Sequence, residues 1–176
     1  MSYQSETECH LSQKPCCGLV IGKFMPLHLG HVALIHFALE RCEQLTVAVI
    51  SKSTDTISAE LRRSWFEKLF GTRLKVRVVD LREVHLPVTE AHTPEAEAAW
   101  TRYFAEAFSE TEILFSSERY GDVLAAALGI PHCLYDPDRG SHPVSGAQIR
   151  NAPLEYKDYL PEVVYEDLKR FHLNLT

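Results

Sequence analysis

The chain has 176 residues, 45% of them hydrophobic and 24% charged, which fits one globular domain and excludes disordered, collagen-like and coiled-coil classes. With 18 Lys and Arg against 24 Asp and Glu the formal charge is −6, so no nucleic-acid or membrane partner is expected and an anionic ligand must meet a local positive site. Runs such as LTVAVI at 45–50 fall far short of the ~20 apolar residues that span a bilayer. The polar N-terminus has no export-signal pattern, and five scattered cysteines suit reduced thiols better than a disulfide framework, so the cytoplasm is the expected compartment.

Residues 1–15 carry almost no apolar pattern and are expected as a loose tail, with the domain spanning 16–176. From there β-rich runs at 16–24, 45–51, 75–81, 112–118 and 132–136 alternate with helical patterns at 31–42, 59–70, 94–108 and 119–129. Strict alternation predicts a parallel sheet, and nearly all-apolar strands predict helices on both of its faces. The expected fold is a single doubly wound, Rossmann-like α/β domain. Short C-terminal helices at 146–151 and 161–170 would follow, with Pro161 suited to a first helical turn. Leu61, Trp65 and Leu69 make an i, i+4, i+8 stripe that assigns Trp65 to the core.

The chemistry gathers after the strands. Gly22-Lys23-Phe24-Met25-Pro26-Leu27-His28-Leu29-Gly30-His31 joins the first strand to a helix start, where unpaired N–H groups and a positive dipole end favour phosphate. His28 and His31 can project to one side, Gly30 allows close backbone approach, and Lys23 adds a positive charge. Phe115-Ser116-Ser117-Glu118-Arg119-Tyr120-Gly121-Asp122 follows the fourth strand, and the segment Asp138 to Arg150, DRGSHPVSGAQIR, follows the fifth. All three open on the carboxyl edge of the sheet, where such folds bind ligands. Ser145 can cap the short helix that begins at Gly146, and Arg150 one turn later offers a guanidinium fork to phosphate oxygens.

These segments resemble the nucleotidyltransferase superfamily. GKFMPLHLGH is similar to its (H/T)-x-G-H motif and VSGAQIR to its I-S-x-T-x-x-R motif. Within it, GLVIGKFMPLHLGH, FSSERYGD and YDPDRGSHPVSGAQIR resemble the nicotinamide-nucleotide adenylyltransferase domain of NadR-type proteins, over nearly all of residues 17–170. Ala147 stands where that family usually has Thr. No G-x-x-x-x-G-K-[ST] loop is present, so the resemblance implies a stand-alone adenylyltransferase without the kinase activity or the upstream DNA-binding region of some relatives. The implied reaction joins ATP and nicotinamide mononucleotide to give NAD and pyrophosphate. By resemblance His28 and His31 contact the ATP phosphates, and Lys23, Arg139 and Arg150 hold the triphosphate. Gly22, Phe24, Gly30, Ser145 and Gly146 belong to the ATP site, with Ser117 and Tyr120 on its adenosine side. Mg²⁺ would bridge phosphate oxygens, with no direct protein ligand expected.

On the acceptor side the resemblance points to Trp100 as an aromatic wall for the cationic nicotinamide ring. Trp100, Phe104 and Phe108 also have the spacing of a core stripe, so both readings stand. Arg62 is expected exposed, as a solvated helix arginine or a contact to the mononucleotide phosphate. Zinc at Cys9, His10, Cys16 and Cys17 is disfavoured by spacing, and His85 and His92 read as loop residues. The competing functions are transfer to another phosphorylated acceptor such as phosphopantetheine, a non-catalytic nucleotide sensor, and a class I aminoacyl-tRNA synthetase fragment. The last lacks a K-M-S-K-S element. A homo-oligomer is compatible with the sequence.

Overall fold

The computed structural model describes residues 13–87 and 93–173. Five strands, β1 (Cys17–Gly22), β2 (Gln44–Ser51), β3 (Lys75–Asp80), β4 (Ile113–Ser116) and β5 (His132–Leu134), form one sheet in the order β3-β2-β1-β4-β5. Every pairing is parallel. The helices are α1 (Leu29–Arg41), α2 (Ala59–Phe70), α3 (Pro94–Ala107), α4 (Tyr120–Leu128), α5 (Gly146–Asn151) and α6 (Glu162–Leu173). The expected doubly wound fold is what forms. The tail expected over residues 1–15 lies mostly outside the described residues.

Period-two alternation within the buried strands separates two cores. Val20, Val47, Val49 and Phe115 pack with Ile35 of α1, Trp65 and Phe66 of α2 and Val164 of α6. Their sequence neighbours Leu19, Ala48, Ile50 and Leu114 turn to the other face and pack with Phe104 of α3 and Ala125 of α4. Helices on both faces explain why these strands are nearly continuous apolar runs. At the sheet edge β3 departs from this: Lys75, Arg77 and Val78 are exposed, because an edge strand has neighbours on one side only.

Local signals set the helix ends. Ser58 accepts from the Leu61 N–H at 3.2 Å and Thr93 from the Ala96 N–H at 3.2 Å, with Pro94 beginning α3. Gly129, at φ +68°, ends α4 in the left-handed region. The stripe expected on α2 needs correction. Trp65 is fully buried, and its indole N–H donates to Asp167 at 2.9 Å, but Leu69 is 39% exposed. Four-residue steps advance about 400° on a 3.6-residue helix, so a side chain eight positions on has rotated roughly 80°, and the inward stripe continues through Phe66 and Phe70. Cys16, Cys17 and Cys42 are free thiols. Among the described residues no helix is long and apolar enough to cross a membrane.

Candidate functional site

Strand order reverses between β1 and β4, because β2 and β3 lie to one side of β1 while β4 and β5 lie to the other. The loops leaving these two strands therefore part and leave a crevice at their carboxyl ends. A cleft of about 560 Å³ opens there. Of the residues expected in a site, Gly22, Lys23, Phe24, His28, Gly30, His31, Trp100, Ser117, Arg139, Ser145, Gly146 and Arg150 all line it. Tyr120 opens α4, and its side chain lies outside what is described, as does all of His92. His85 is exposed on its loop.

The two histidines at the start of α1 are a coupled unit. Their rings stack with centroids 3.6 Å apart, and the His28 backbone N–H donates to His31 Nδ1 at 3.3 Å. Because His31 Nδ1 accepts, its ring proton sits on Nε2, which leaves that nitrogen as a donor. Burial, followed by the charges of Arg139 and His142, pushes His28 down to about 4. Burial, followed by the charges of His28 and Arg139, holds His31 well below the usual imidazole range. Burial therefore favours the neutral form of both rings. Phe24 packs edge-on against His31 at 5.0 Å and against Phe66 at 4.9 Å. Its ring is nearly enclosed, so its main contact is to the histidine and the core.

Arg62 corrects the sequence reading. It is fully buried beneath the cleft and makes a 2.7 Å ion pair with Asp55. It also donates to the carbonyls of Lys23 at 2.7 Å and Ile50 at 2.9 Å. The residue is neither a solvated surface arginine nor part of the cleft lining; it ties the backbone at Lys23 to β2 and α2. Burial lowers its pKa and the Asp55 carboxylate partly offsets this.

On the opposite wall, Ser145 caps α5 in a reciprocal box: its hydroxyl accepts from the Gln148 N–H at 3.3 Å, and Gln148 Oε1 accepts the Ser145 N–H at 2.9 Å. Sequence reading missed Gln148, although S-x-x-Q is a legible capping signal. Ala147 therefore leaves the helix cap complete. A Cβ on Gly146 would sit 2.8 Å from the Met25 carbonyl oxygen, and Arg150 donates to that same carbonyl. Gly146 is needed for α5 to approach the β1–α1 loop this closely. Arg139, at φ +54° in the left-handed region, lies 3.8 Å from Glu118 across the cleft mouth.

The β4–α4 turn is held by a chain that the sequence did not disclose. Ser116 Oγ lies 2.7 Å from His132 Nε2, and His132 Nδ1 lies 2.7 Å from Asp122. Gly121 leaves room for this contact, since a Cβ there would meet the His132 ring and sit 2.6 Å from Ser116 Oγ. Beyond the turn the cleft becomes apolar, with Ile50, Leu81, Pro87, Ala96, Leu124 and Trp100 as lining. Trp100 is half-buried and stacks on Phe104 at 5.8 Å and 15°. It is both packed on the core and open to the cleft, so the two sequence readings do not exclude each other. Glu97, one helical turn before Trp100, adds a carboxylate to this end.

A family model for cytidylyltransferase-like proteins matches residues 19–152. The chain belongs to the cytidylyltransferase-like family. It is 29% identical over 171 residues to the trifunctional NAD biosynthesis/regulator protein NadR of Escherichia coli, covering 86% of this chain and 40% of that protein. It is 29% identical over 166 residues to NadR of Salmonella typhimurium, covering 84% and 39%. The chain thus spans about 40% of the length of these curated relatives. Among solved structures, NadR in complex with NAD and AMP-PNP superposes with a TM-score of 0.57 at 20% identity, covering 85% of this chain and 45% of that one. A bifunctional NMN adenylyltransferase/ADP ribose pyrophosphatase from Francisella tularensis, complexed with AMP and Mn ion, gives 0.59 at 14% identity, covering 89% and 49%. At these identities the structural likeness establishes the fold.

Proposed function

We propose that this chain transfers an adenylyl group from ATP to nicotinamide mononucleotide, releasing pyrophosphate and forming NAD. The observation that carries the reading is the pair of stacked imidazoles at the switch point of the sheet, with Arg139 and Arg150 on the facing loop and helix. The relatives support the metabolite class: NadR is an NAD biosynthesis/regulator protein, and NadR structures hold NAD with AMP-PNP or NR.

The acceptor phosphate is a monoester with a second pKa of about 6, so it attacks the α-phosphorus of ATP without a general base. One P–O bond forms to the mononucleotide phosphate as the bond to pyrophosphate breaks. What this chain must supply is in-line placement and stabilisation of charge on the departing pyrophosphate. The His31 Nε2–H, His28, Lys23, Arg139 and Arg150 are donors suited to that task, and Ser117 and Tyr120 are assigned to the adenosine side. Among the described residues no group of three or more His, Cys, Asp or Glu side chains could hold a metal ion, and Mg²⁺ would be brought in with the phosphates of ATP. The Francisella relative's Mn ion makes divalent-metal use the family-level expectation. Trp100 provides a flat face for the cationic ring, and the Glu97 carboxylate beside it favours a positive rather than a negative group.

The test is a coupled assay for NAD formation from ATP, Mg²⁺ and nicotinamide mononucleotide, with phosphopantetheine as the control acceptor. NAD formation with no phosphopantetheine adenylation is expected. Turnover of phosphopantetheine alone would reassign the acceptor, and ATP binding without turnover on either would make the chain a nucleotide sensor.

A further inference from the structure

His142, which no motif assigns, lies in the loop between β5 and α5 and faces the histidine pair across the start of α1. A Cβ placed on Gly30 would sit 3.1 Å from the His28 ring and 3.4 Å from the His142 Cβ, so the two residues close over the same glycine. Both line the cleft. Their Nδ1 atoms share an uncommon property: each is enclosed, and neither has a hydrogen-bond partner among the described residues. Buried polar atoms in folded proteins are almost always paired, and two unpaired ring nitrogens in residues that line one cleft mark a wall that a ligand can complete.

The surroundings specify the ligand's charge. The acidic groups of this wall are already engaged: the Asp136 carboxylate accepts the N–H groups of Gly140 at 2.8 Å and Ser141 at 3.0 Å, and Glu118 pairs with Arg139. These bonds also hold the loop, and the His142 carbonyl accepts the Val144 N–H at 2.7 Å. The imidazole is thus delivered from a braced backbone into a space bordered by Lys23, Arg139 and His28. With Lys23 and Arg139 on the same wall, an acceptor-rich anion suits this space when the imidazoles present ring N–H groups to it.

We infer that His142 is a third polyphosphate-binding imidazole, which grips the pyrophosphate portion of the nucleotide from the wall opposite His28 and His31. This rests on the adenylyl-transfer reading. Two loops then enclose the leaving group: the β1–α1 loop through His28 and His31, and the β5–α5 loop through His142.

The experiment is calorimetric titration of the whole chain with ATP, inorganic pyrophosphate and AMP, alongside steady-state kinetics. His142→Ala should weaken ATP and pyrophosphate binding on the order of tenfold, the worth of one charge-assisted hydrogen bond, while AMP binding stays within about twofold. KM for ATP should rise without a matching change in KM for the mononucleotide. His142→Asn, which keeps an N–H donor near the Nδ1 position, should restore most of the pyrophosphate affinity and serves as the second variant should the alanine protein fold poorly. Unchanged pyrophosphate affinity in both variants would overturn the assignment, as would equal losses for ATP and AMP, which would mark a purely structural role. A wild-type chain that binds neither ATP nor pyrophosphate would instead bring down the underlying adenylyl-transfer reading.

Discussion

The two ends of the cleft are built on different physics. At the donor-rich end each functional side chain is held by a specific brace: His31 by the His28 N–H and the Phe24 ring, the Lys23 backbone by Arg62, and α5 by the contacts of Gly146 and Arg150 with the Met25 carbonyl. At the apolar end Trp100 is held by packing on Phe104. A hydrogen-bonded, partly desolvated end is pre-organised and intolerant of change, because losing one partner strands another. A packed aromatic end adjusts more readily. The donor-rich end suits a triphosphate whose shape does not vary, and the apolar end is where acceptor specificity would reside.

Breaking the deepest brace should give the largest effect. Arg62→Ala leaves Asp55, whose side chain is 6% exposed, without its counter-ion, and should cost about 3 to 5 kcal/mol of stability in urea unfolding. Adding Asp55→Leu should recover part of that loss, since removing both charges is less harmful than removing one. A cost under about 1 kcal/mol would mean that the ion pair contributes as little as a surface pair.

His31→Ala acts on the same end through a side chain that lines the cleft. It should lower kcat by on the order of a hundredfold while leaving KM for the mononucleotide nearly unchanged, the pattern of a contact that strengthens in the transition state. A kcat within about threefold of wild type would remove His31 from the leaving-group role.

Acid should also discriminate the two ends. His28 is held at about 4 in the fold, against about 6.5 in the unfolded chain. Between those values the unfolded state binds more protons, so stability rises with pH across the window and is lost as pH falls from about 6.5 towards 4, by on the order of 2 to 3 kcal/mol. His31, lowered in the same direction, adds to the loss. Urea midpoints measured across this range should fall with acid in wild type and fall less in His28→Gln. Inorganic pyrophosphate should lessen the fall, because an anion beside the rings stabilises their charged forms.

At the apolar end Trp100→Ala should raise KM for nicotinamide mononucleotide by about tenfold and leave KM for ATP within about twofold. A melting temperature that drops sharply while mononucleotide affinity holds would make Trp100 a packing residue. Together with the His31 result, this outcome would leave the phosphate chemistry intact and reopen the acceptor.

What the sequence determined by itself is what depends on period and short-range chemistry. The β/α alternation, the bounds of the helix at 146–151, the Ser145 cap and the convergence of the post-strand loops on one edge all follow from side chains a few residues apart. The resemblance to nucleotidyltransferases rested on such local motifs, and the family match agrees with it. Only the tertiary structure decided which side of α2 faces inward. Arg62 looked solvated because arginine usually is, yet it lies fully buried, while Leu69 of the same helix is exposed. A buried charge is stable there because carbonyls and a carboxylate from positions 23, 50 and 55 converge on it, and convergence over such separations leaves no periodic trace. The same holds for the approach of Gly146 to Met25, the chain from Ser116 through His132 to Asp122, and the placement of His142 over Gly30. Each is a meeting of residues whose separation in sequence carries no information until the sheet brings their loops to one edge.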